Sequence, residues 1–408
     1  MNCRHCNTKL LFSFIDLNSA PPSNSFLSKK NMNKAEKWYP LHVMVCSSCW
    51  LVQTEDFVQA KEMFSPEYAY FSSFSSSFLL HVKQYVEEMI SRFSLDDRST
   101  VLEVAANDGY LLQYVKEKGI PCYGIEPTKS TANAAQERGI EIIEEFFGGL
   151  LADKLVKNNR KADLTIANNV LAHVPNINDF VGGFTKILKK NGVATFENPH
   201  LLNLVEQKQF DTIYHEHFSY LSVTSVIEIF KTNGLTLFDV EEITIHGGSL
   251  RYFAQRSDTG KRLVTNNVRY LQEKENKAGM SNIDFYRGFQ SEAENIKINF
   301  LAFLIDQKLK GKIVAAYGAA AKGNTMLNFC GVNQDLIKFV VDKNPSKQGK
   351  FLPGSRIPIK DEKYIKEVKP DYVVILPWNL KNEIASQLSY IREWNGKFVI
   401  TTPAMEFL

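Results

Sequence analysis

The sequence predicts an α/β protein in three parts: a small cysteine-bearing module followed by two Rossmann-like domains. Two Cys-x-x-Cys pairs lie within the first 49 residues. A buried strand, a tight turn and a helix follow one another from Val101, and the same succession begins again at Ile313. The 408 residues are enough for two or three domains. We place these domains at residues 1–66, 67–240 and 241–408.

Composition and charge exclude several classes of protein. Hydrophobic residues make up 44% of the chain and charged residues 23%, which is ordinary for a globular protein. The net charge of +3, from 48 basic and 45 acidic residues, is too even for a surface that neutralises phosphates, so we expect no nucleic acid partner. No apolar run reaches the length that spans a membrane, and residues 1–6 do not begin a signal peptide. We therefore expect a cytoplasmic protein that binds no membrane.

The first two cysteine pairs predict a metal site. Cys3 and Cys6 are separated by 39 residues from Cys46 and Cys49. Each Cys-x-x-Cys turn can present two thiolates to one ion, and two such turns complete a tetrahedral zinc site. Because all four ligands would be cysteines, we predict a structural zinc ion. The alternatives are two unrelated pairs of buried cysteines, or a redox pair, which does not account for a second pair.

The central part carries the strand pattern of a nucleotide-type cofactor domain. A buried strand at Val101–Val104 leads into a turn that ends at Gly109, and a second strand at Cys122–Ile125 ends in Glu126. An acidic residue at that position can accept hydrogen bonds from ribose hydroxyls. Further strands are predicted at Asp163–Ala167, at Val193–Phe196 and on both sides of the glycine turn at 247–248.

The first turn distinguishes between cofactors. Residues 105–109 read Ala-Ala-Asn-Asp-Gly, which lacks the Gly-x-Gly-x-x-Gly that a dinucleotide pyrophosphate requires. Glu103, Asn107 and Asp108 instead offer carboxylates and an amide, which suit the cationic amino-acid end of S-adenosylmethionine (SAM). An α/β domain without a cofactor is the alternative. We predict SAM.

Titratable side chains are concentrated between residues 196 and 221, where the sequence includes Tyr214-His215-Glu216-His217. A metal site, a hydrogen-bonded structural cluster and a general acid–base site are all compatible with this composition. An extended segment would place His215 and His217 on one face, whereas a turn would separate them. Its position beyond the end of a cofactor domain favours the acid–base interpretation.

The second Rossmann-like part begins with a small-residue turn, Gly318–Asn324. Its glycine spacing resembles a P-loop, but Asn324 occupies the position of the phosphate-binding lysine, which argues against an NTPase. Backbone N–H groups of such a turn, together with Lys322, can still bind a diphosphate. Close packing of helix on sheet is the alternative. The next strand, Ile337–Val341, ends in Asp342.

Together these motifs make the chain resemble, over essentially its whole length, the SAM-dependent sugar C-methyltransferases of deoxysugar biosynthesis that install 3-C-methyl branches. The resemblance rests on the four cysteines and on four further blocks in order: Glu103–Gly109, Asn168–His173, Tyr214–His217 and Gly318–Asn324. It implies a nucleotide-linked 4-keto-6-deoxysugar as substrate, held between the SAM domain and the C-terminal domain. It further implies that a base removes the proton beside the ketone and that the enolate carbon takes the methyl group.

The resemblance also implies roles for individual residues. His217 would be the base, Glu216 and Tyr214 would orient it or steady the enolate oxygen, and His173 would hold the sugar or relay protons. The implied cofactor-binding residues are Tyr70, Glu103, Asn107, Asp108, Gly109, Glu126, Phe146, Phe147 and Asn168. The implied substrate-binding residues are Tyr68, Asn198, His200, Arg251, Gly318, Lys322, Asn324, Asp342, Lys343 and Lys347. Asn198 stands where an apolar residue was expected.

Three other functions compete with this interpretation. A SAM-dependent O- or N-methyltransferase would not exchange the substrate's α-proton. A zinc-ribbon nucleic-acid-binding protein would bind with a steep dependence on salt. An NAD-type dehydrogenase would bind nicotinamide rather than SAM. The sequence is compatible with a monomer, and it leaves open the nucleotide base and the methylated carbon, of which C3 is preferred.

Overall fold

The computed structural model describes residues 1–57, 71–74 and 76–408. Strands within these residues form a four-stranded, a seven-stranded and a six-stranded sheet. The α/β fold class predicted from the sequence is confirmed. Among the described residues, no helix combines the length and the apolar character that crossing a bilayer requires.

The sheet of the N-terminal module is completed by a strand from much later in the chain. β1 (Phe12–Ala20), β2 (Tyr39–Val45) and β3 (Val52–Thr54) are antiparallel neighbours, and β9 (Ser219–Tyr220) pairs with β3. Alternate residues of β2 are buried, as expected for a sheet with one face on a core. The segment that precedes β9 is therefore attached to the cysteine module.

The central sheet is mostly parallel. Its strands are β4 (Val101–Val104), β5 (Cys122–Ile125), β6 (Ile142–Ile143), β7 (Ala162–Asn168), β8 (Leu188–Pro199), β10 (Leu235–Ile243) and β11 (Ser249–Arg256). Their order is β10-β11-β8-β7-β4-β5-β6, and only β11 runs antiparallel to the other strands. Helices pack on both faces, which explains why β4 is apolar almost throughout. The helices are α1 (Ser76–Phe93), α2 (Leu112–Glu117), α3 (Lys129–Glu137), α4 (Gly149–Lys157), α5 (Ile177–Ile187), α6 (Leu201–Glu206) and α7 (Val223–Thr232).

The boundary predicted between residues 240 and 241 falls inside this sheet. β10 and β11 form the hairpin expected around the glycine turn, and β11 lies between β10 and β8. All but the last residue of β11 are buried, so the strand cannot be detached without opening the core. The central domain therefore extends at least to Arg256. Sequence pattern did not show this because a hairpin can belong to either neighbouring domain.

The C-terminal sheet has the topology of a Rossmann-like half. Its strands are β12 (Val314–Tyr317), β13 (Val340–Val341), β14 (Ile359–Lys360), β15 (Tyr372–Ile375), β16 (Lys397–Ile400) and β17 (Glu406–Phe407). The order is β14-β13-β12-β15-β16-β17, with only β17 antiparallel. The order reverses between β12 and β15, where such sheets open a crevice for ligands. The helices are α10 (Ala321–Cys330), α11 (Tyr364–Val368) and α12 (Lys381–Gln387).

Two helices join the sheets into one body. α8 (Asn266–Ala278) packs on β10 and α7, and α9 (Phe289–Leu309) contacts both β1 and α10. The Phe14 ring of β1 stacks on Phe289 with centroids 4.6 Å apart. One apolar core includes residues of the cysteine module, of the segment 201–220 and of the C-terminal domain. A substitution in the cysteine module or in the C-terminal domain can therefore alter the position of the segment that carries the histidine cluster.

Candidate active site

The four predicted metal ligands converge at one point. The sulfur atoms of Cys3, Cys6, Cys46 and Cys49 all lie within 4.8 Å of one another, and the two shortest separations are 3.5 Å. Four sulfurs bound tetrahedrally at about 2.3 Å from zinc would be about 3.8 Å apart. The cluster therefore fits a structural zinc ion, and Gln53 adds a side-chain N–H at 3.2 Å from the Cys3 sulfur.

Arg4 and His5, which lie between Cys3 and Cys6, make hydrogen bonds to the central domain. Arg4 donates to the carbonyl oxygen of Pro175 at 3.0 Å and to that of Thr54 at 2.8 Å. Its guanidinium also lies 5.3 Å from the centre of the Phe218 ring. Next to it, His5 and Asn178 exchange two polar contacts of 2.8 Å. The zinc module thus fixes the loop that follows β7 and the residue that follows His217.

The histidine cluster folds as a turn. The His217 amide donates to the Tyr214 carbonyl oxygen at 2.9 Å, which closes a turn over Tyr214–His217. His215 Nε2 lies 3.2 Å from the carbonyl oxygens of both Tyr39 and Pro40, so this side chain is used to attach the turn to β2. The two histidines therefore do not share a face, and His215 is structural.

The tautomer of His217 follows from its partner. Its Nδ1 lies 2.9 Å from the Thr212 carbonyl oxygen, which can only accept a hydrogen bond. Nδ1 therefore carries a proton, and in the neutral imidazole the lone pair is on Nε2. The His173 ring is 4.7 Å from the His217 ring and the Tyr214 ring is 4.0 Å from it, centroid to centroid. The predicted catalytic residues are thus brought together.

The other members of this group are held in defined states. Burial lowers the pKa of His173 to about 4, against the opposing effect of a hydrogen bond with the Glu216 backbone, so the imidazole is neutral near pH 7. Glu216 is buried and accepts a 2.7 Å hydrogen bond from Asn24 Nδ2. Proton transfer requires a base and polar groups that orient it. His217, the neutral His173 and the buried carboxyl group of Glu216 are suited to these roles.

The predicted cofactor pocket lies at the carboxyl ends of β4 and β5. Its turn requires unusual backbone: Asn107 and Gly109 have φ of +49° and +76°. A Cβ on Gly109 would lie 2.5 Å from Ile140 Cδ1. Glu126 accepts hydrogen bonds of 2.9 Å from the backbone amides of Asn107 and Thr128, which fix its carboxyl group beside the turn.

Three carboxyl groups, those of Glu103, Asp108 and Glu126, are buried at this pocket. Burial, reinforced by the charges of Asp108 and Glu126, raises the pKa of Glu103 well above its usual range, although the Tyr110 hydroxyl acts in the opposite direction. Asp108 Oδ1 is buried and has no hydrogen-bond partner among the described residues. The side-chain amide of Asn168, at the end of β7, is buried and unpartnered in the same sense. Buried acceptors without donors fit the cationic methionine end of SAM.

The two predicted adenine contacts differ in placement. Phe146 is exposed. The Phe147 ring makes T-shaped contacts with Phe184 at 4.9 Å and with Phe180 at 5.6 Å between ring centres, so it packs on the core side of α5. Tyr68 and Tyr70, predicted for substrate and cofactor, lie outside the described residues.

Two predicted substrate residues are instead committed to contacts with carboxyl groups inside the protein. His200 Nε2 lies 2.8 Å from Glu275, which also accepts backbone N–H bonds at the start of α7. Arg251 donates to Glu197 at 2.7 Å and to Glu88 at 2.8 Å, and so attaches α1 to the sheet. Neither side chain is available to a sugar, and both predictions are corrected. Each of these carboxyl partners lies at least 54 residues away in the sequence, so the local sequence around His200 and Arg251 could not predict the contact.

Asn198 is the predicted substrate residue with the least expected environment. It is buried in β8, and neither polar atom of its side chain has a hydrogen-bond partner among the described residues. Asn198, at a position where we expect an apolar residue, is therefore a buried polar side chain without a hydrogen bond to the described residues.

The small-residue turn of the C-terminal domain lies at the point where the strand order reverses. Gly318 has φ of +92° and approaches Pro377 so closely that a Cβ would be 2.5 Å from it. Lys322 Nζ lies 2.7 Å from Asn379 Oδ1 and 4.4 Å from the Trp378 ring centre. Gly318 and Lys322 are thus at the predicted ligand crevice.

The predicted substrate residues of the following segment support the same turn. Asp342 accepts a 2.8 Å hydrogen bond from the Ala319 amide, and Lys347 donates to the Ala319 carbonyl oxygen at 2.8 Å. Lys343 is exposed. Asn324 is buried one turn into α10 and donates to the Ser23 carbonyl oxygen at 2.6 Å, so its N–H is used within the protein.

Sequence reasoning missed Asp211, which closes this crevice from the central side. Its Oδ2 accepts a 2.8 Å bond from the Trp378 indole, and burial raises its pKa to about 6 while the charge of Lys322 opposes the rise. A contact between residues 167 apart leaves no local signal.

The pocket at the strand ends and the cysteine cluster, together with the family models that match the chain, identify a SAM-dependent methyltransferase with a zinc-binding module. Three family models match the chain: a zinc binding domain at residues 3–64, a methyltransferase domain at 78–240 and the C-methyltransferase C-terminal domain at 244–403. The C-methyltransferase NovU of Streptomyces niveus is 31% identical over 401 residues, which are 98% of this chain and 95% of NovU. The chain belongs to this family of C-methyltransferases.

Two solved structures each match less than half of the chain. The magnesium protoporphyrin IX methyltransferase ChlM of Synechocystis PCC 6803, with bound SAH, is 16% identical, and the match covers 44% of this chain and 83% of that one at a TM-score of 0.35. The PH0226 protein of Pyrococcus horikoshii OT3 is 15% identical over 46% of this chain and 95% of its own, at 0.38. Likeness of this extent carries no argument about substrate.

Proposed function

We propose that the protein transfers a methyl group to C3 of a nucleotide-linked 4-keto-6-deoxysugar through an enolate. The observation that carries the proposal is the tautomer of His217, which places a lone pair on Nε2 beside a second, neutral histidine, His173. Methylation at carbon requires removal of a C–H proton, and an imidazole is suited to that transfer near neutral pH. The sugar-nucleotide class is what the resemblance described above implies.

The proposed reaction begins with removal of the proton at C3 and ends with a methyl group on that carbon. His217 Nε2 takes the C3 proton, and the electrons of the C–H bond form the C3–C4 double bond as the ketone oxygen becomes an enolate. Bound SAM would supply the electrophilic methyl group that C3 takes, and the enolate would return to the ketone as S-adenosylhomocysteine is left. The rings of Tyr214 and His173 lie against the His217 ring, so we assign to these residues the roles of steadying the enolate oxygen or relaying the proton. The buried carboxyl group of Glu216 is proposed to help orient His217.

The nucleotide is proposed to bind at the C-terminal crevice. The backbone of the Gly318 turn and the half-buried Lys322 lie where the strand order reverses, at the ends of β12 and β15. Burial lowers the pKa of Lys322, and the nearby Asp211 acts in the opposite direction. A cation above the Trp378 ring is suited to a diphosphate, whose charge would strengthen its protonated state.

Ligand-induced stabilisation tests the two proposed sites. We expect S-adenosylhomocysteine and one nucleoside diphosphate to raise the melting temperature separately and additively. A ligand at 100 times its Kd stabilises the native state by about 2.7 kcal/mol, which is measurable. The experiment crosses SAM, S-adenosylhomocysteine and NAD with thymidine, guanosine, uridine and cytidine diphosphates. The base that stabilises identifies the keto-sugar to be tested for methyl transfer from SAM.

The same measurement can contradict the proposal. Stabilisation by NAD without any response to SAM ligands would argue for a dehydrogenase. Response to SAM ligands without response to any diphosphate would remove the nucleotide-sugar substrate and favour an O- or N-methyltransferase acting on another metabolite. Lys322→Ala is expected to abolish the diphosphate response, and Lys338→Ala, an exposed lysine before the start of β13, serves as its control.

A further inference from the structure

A loop of the N-terminal module lies against the C-terminal domain. We call this loop, residues 21–38, the strap. Leu27 and Phe351 exchange backbone hydrogen bonds of 2.9 and 2.8 Å. Farther along, the Glu36 carboxylate accepts a 2.7 Å bond from Arg356. The strap is therefore fixed to the C-terminal domain, although in sequence it joins two strands of the cysteine module.

The first part of the strap reaches the catalytic turn. Asn24 Nδ2 donates to Glu216 Oε1 at 2.7 Å, and Glu216 is only 2% exposed. The carbonyl oxygen of the preceding residue, Ser23, accepts the 2.6 Å hydrogen bond from Asn324 Nδ2. Ser23 and Asn324 are both buried. The C-terminal domain thus holds the peptide next to Asn24 while the Asn24 side chain meets Glu216.

The same turn of α10 also holds the segment that carries Glu216. Thr325 Oγ1 donates to the Ile213 carbonyl oxygen at 2.8 Å, directly before the Tyr214–His217 turn. Two consecutive residues of one helix, Asn324 and Thr325, therefore fix both segments that meet at the Asn24–Glu216 contact. One turn of α10 therefore helps to set the distance between the Asn24 amide and the Glu216 carboxyl group.

We propose that Asn24 is a positioning residue that orients Glu216, and that Asn324 positions Asn24. The inference rests on the proposed function, in which Glu216 supports His217. An amide N–H only donates and an ionised carboxylate only accepts, so the contact fixes which Glu216 oxygen faces the strap and favours its charged form. The module that binds zinc and the domain proposed to bind the nucleotide would then both contribute to the position of one catalytic side chain.

Substitution of Asn24 tests this role. Asn24→Ala is expected to lower kcat about 10-fold, because a hydrogen bond to a buried charged group is lost. Asn24→Asp keeps the shape but replaces the donor with an acceptor, and we expect a larger loss. KM for the nucleotide sugar and the affinity for S-adenosylhomocysteine should stay unchanged in both. Asn33→Ala, an exposed asparagine of the same strap, is the matched control.

Two further variants separate the possible outcomes. If both Asn24 variants keep the wild-type kcat while Glu216→Gln loses activity, the inference is wrong and the proposed function stands. If Glu216→Gln also keeps full turnover, the role of Glu216 in the proposed function fails as well. Asn324→Ala should lower kcat in the same way, and its effect should not add to that of Asn24→Ala. Fully additive losses, or an equal loss in KM, would contradict a positioning chain.

Discussion

Replacement of His217 by asparagine is expected to reduce methyl transfer by about 10²- to 10⁴-fold, the usual contribution of a positioned general base. An asparagine amide can replace the Nδ1–H that donates to Thr212, so the turn should keep its shape. It has no equivalent of the Nε2 lone pair. The binding of S-adenosylhomocysteine and the melting temperature should therefore stay close to those of the wild type, and steady-state kinetics measures the loss.

His215 provides a matched control within the same turn. Its Nε2 faces the carbonyl oxygens of Tyr39 and Pro40, away from the His173–His217 pair. In His215→Gln the terminal amide can still donate to these oxygens, so kcat per folded molecule should change little. Equal losses in the two variants, or wild-type turnover in His217→Asn, would contradict the assignment of the base.

Removal of zinc is expected to abolish methyl transfer as completely, although the metal takes no part in the chemistry. A structural zinc site contributes about 10–16 kcal/mol, which is comparable to the whole stability of a domain at about 5–15 kcal/mol. Without it, β3 and Arg4 lose their support, and with them the pairing to β9 and the bond to Pro175. These contacts flank His217 and His173, so both histidines lose their positions.

The prediction can be tested with the full chain. Cys46→Ser should lack zinc by metal analysis, melt at lower temperature and lose activity, whereas Cys122→Ser, outside the cluster, should keep all three properties. Arg4→Ala should retain zinc but lose turnover, because the contacts to Pro175 and Thr54 are removed while the cysteines remain. Full turnover in zinc-free protein would show that the module does not support the site.

Sequence pattern predicted those parts of the molecule that depend on near neighbours. The strands at 101–104 and 122–125, the turn that ends at Gly109 and the cysteine cluster were predicted because strand period, glycine and Cys-x-x-Cys spacing act over a few residues. The convergence of His173 with Tyr214 and His217 came from the family resemblance, and the distances between their rings agree with it.

The rest depended on partners distant in the chain. His200 and Arg251 have residue types suited to a substrate, but Glu275 and Glu197 occupy them. The choice between an extended segment and a turn at Tyr214–His217 could not be made locally. It is fixed by β9 pairing with β3 and by Thr325 binding the preceding residue. The strap was likewise invisible, because its contacts join residues about 300 positions apart.

The most direct test of the central claim is proton exchange at the carbon to be methylated. A nucleotide 4-keto-6-deoxysugar is incubated in D2O with the protein and S-adenosylhomocysteine, and the C3 proton is followed by NMR against a sample without protein. The account predicts rapid loss of the C3 proton signal with the wild type and none above background with His217→Asn. Methyl transfer by the wild type without any such exchange, or exchange that His217→Asn retains, would contradict an enolate formed by this histidine.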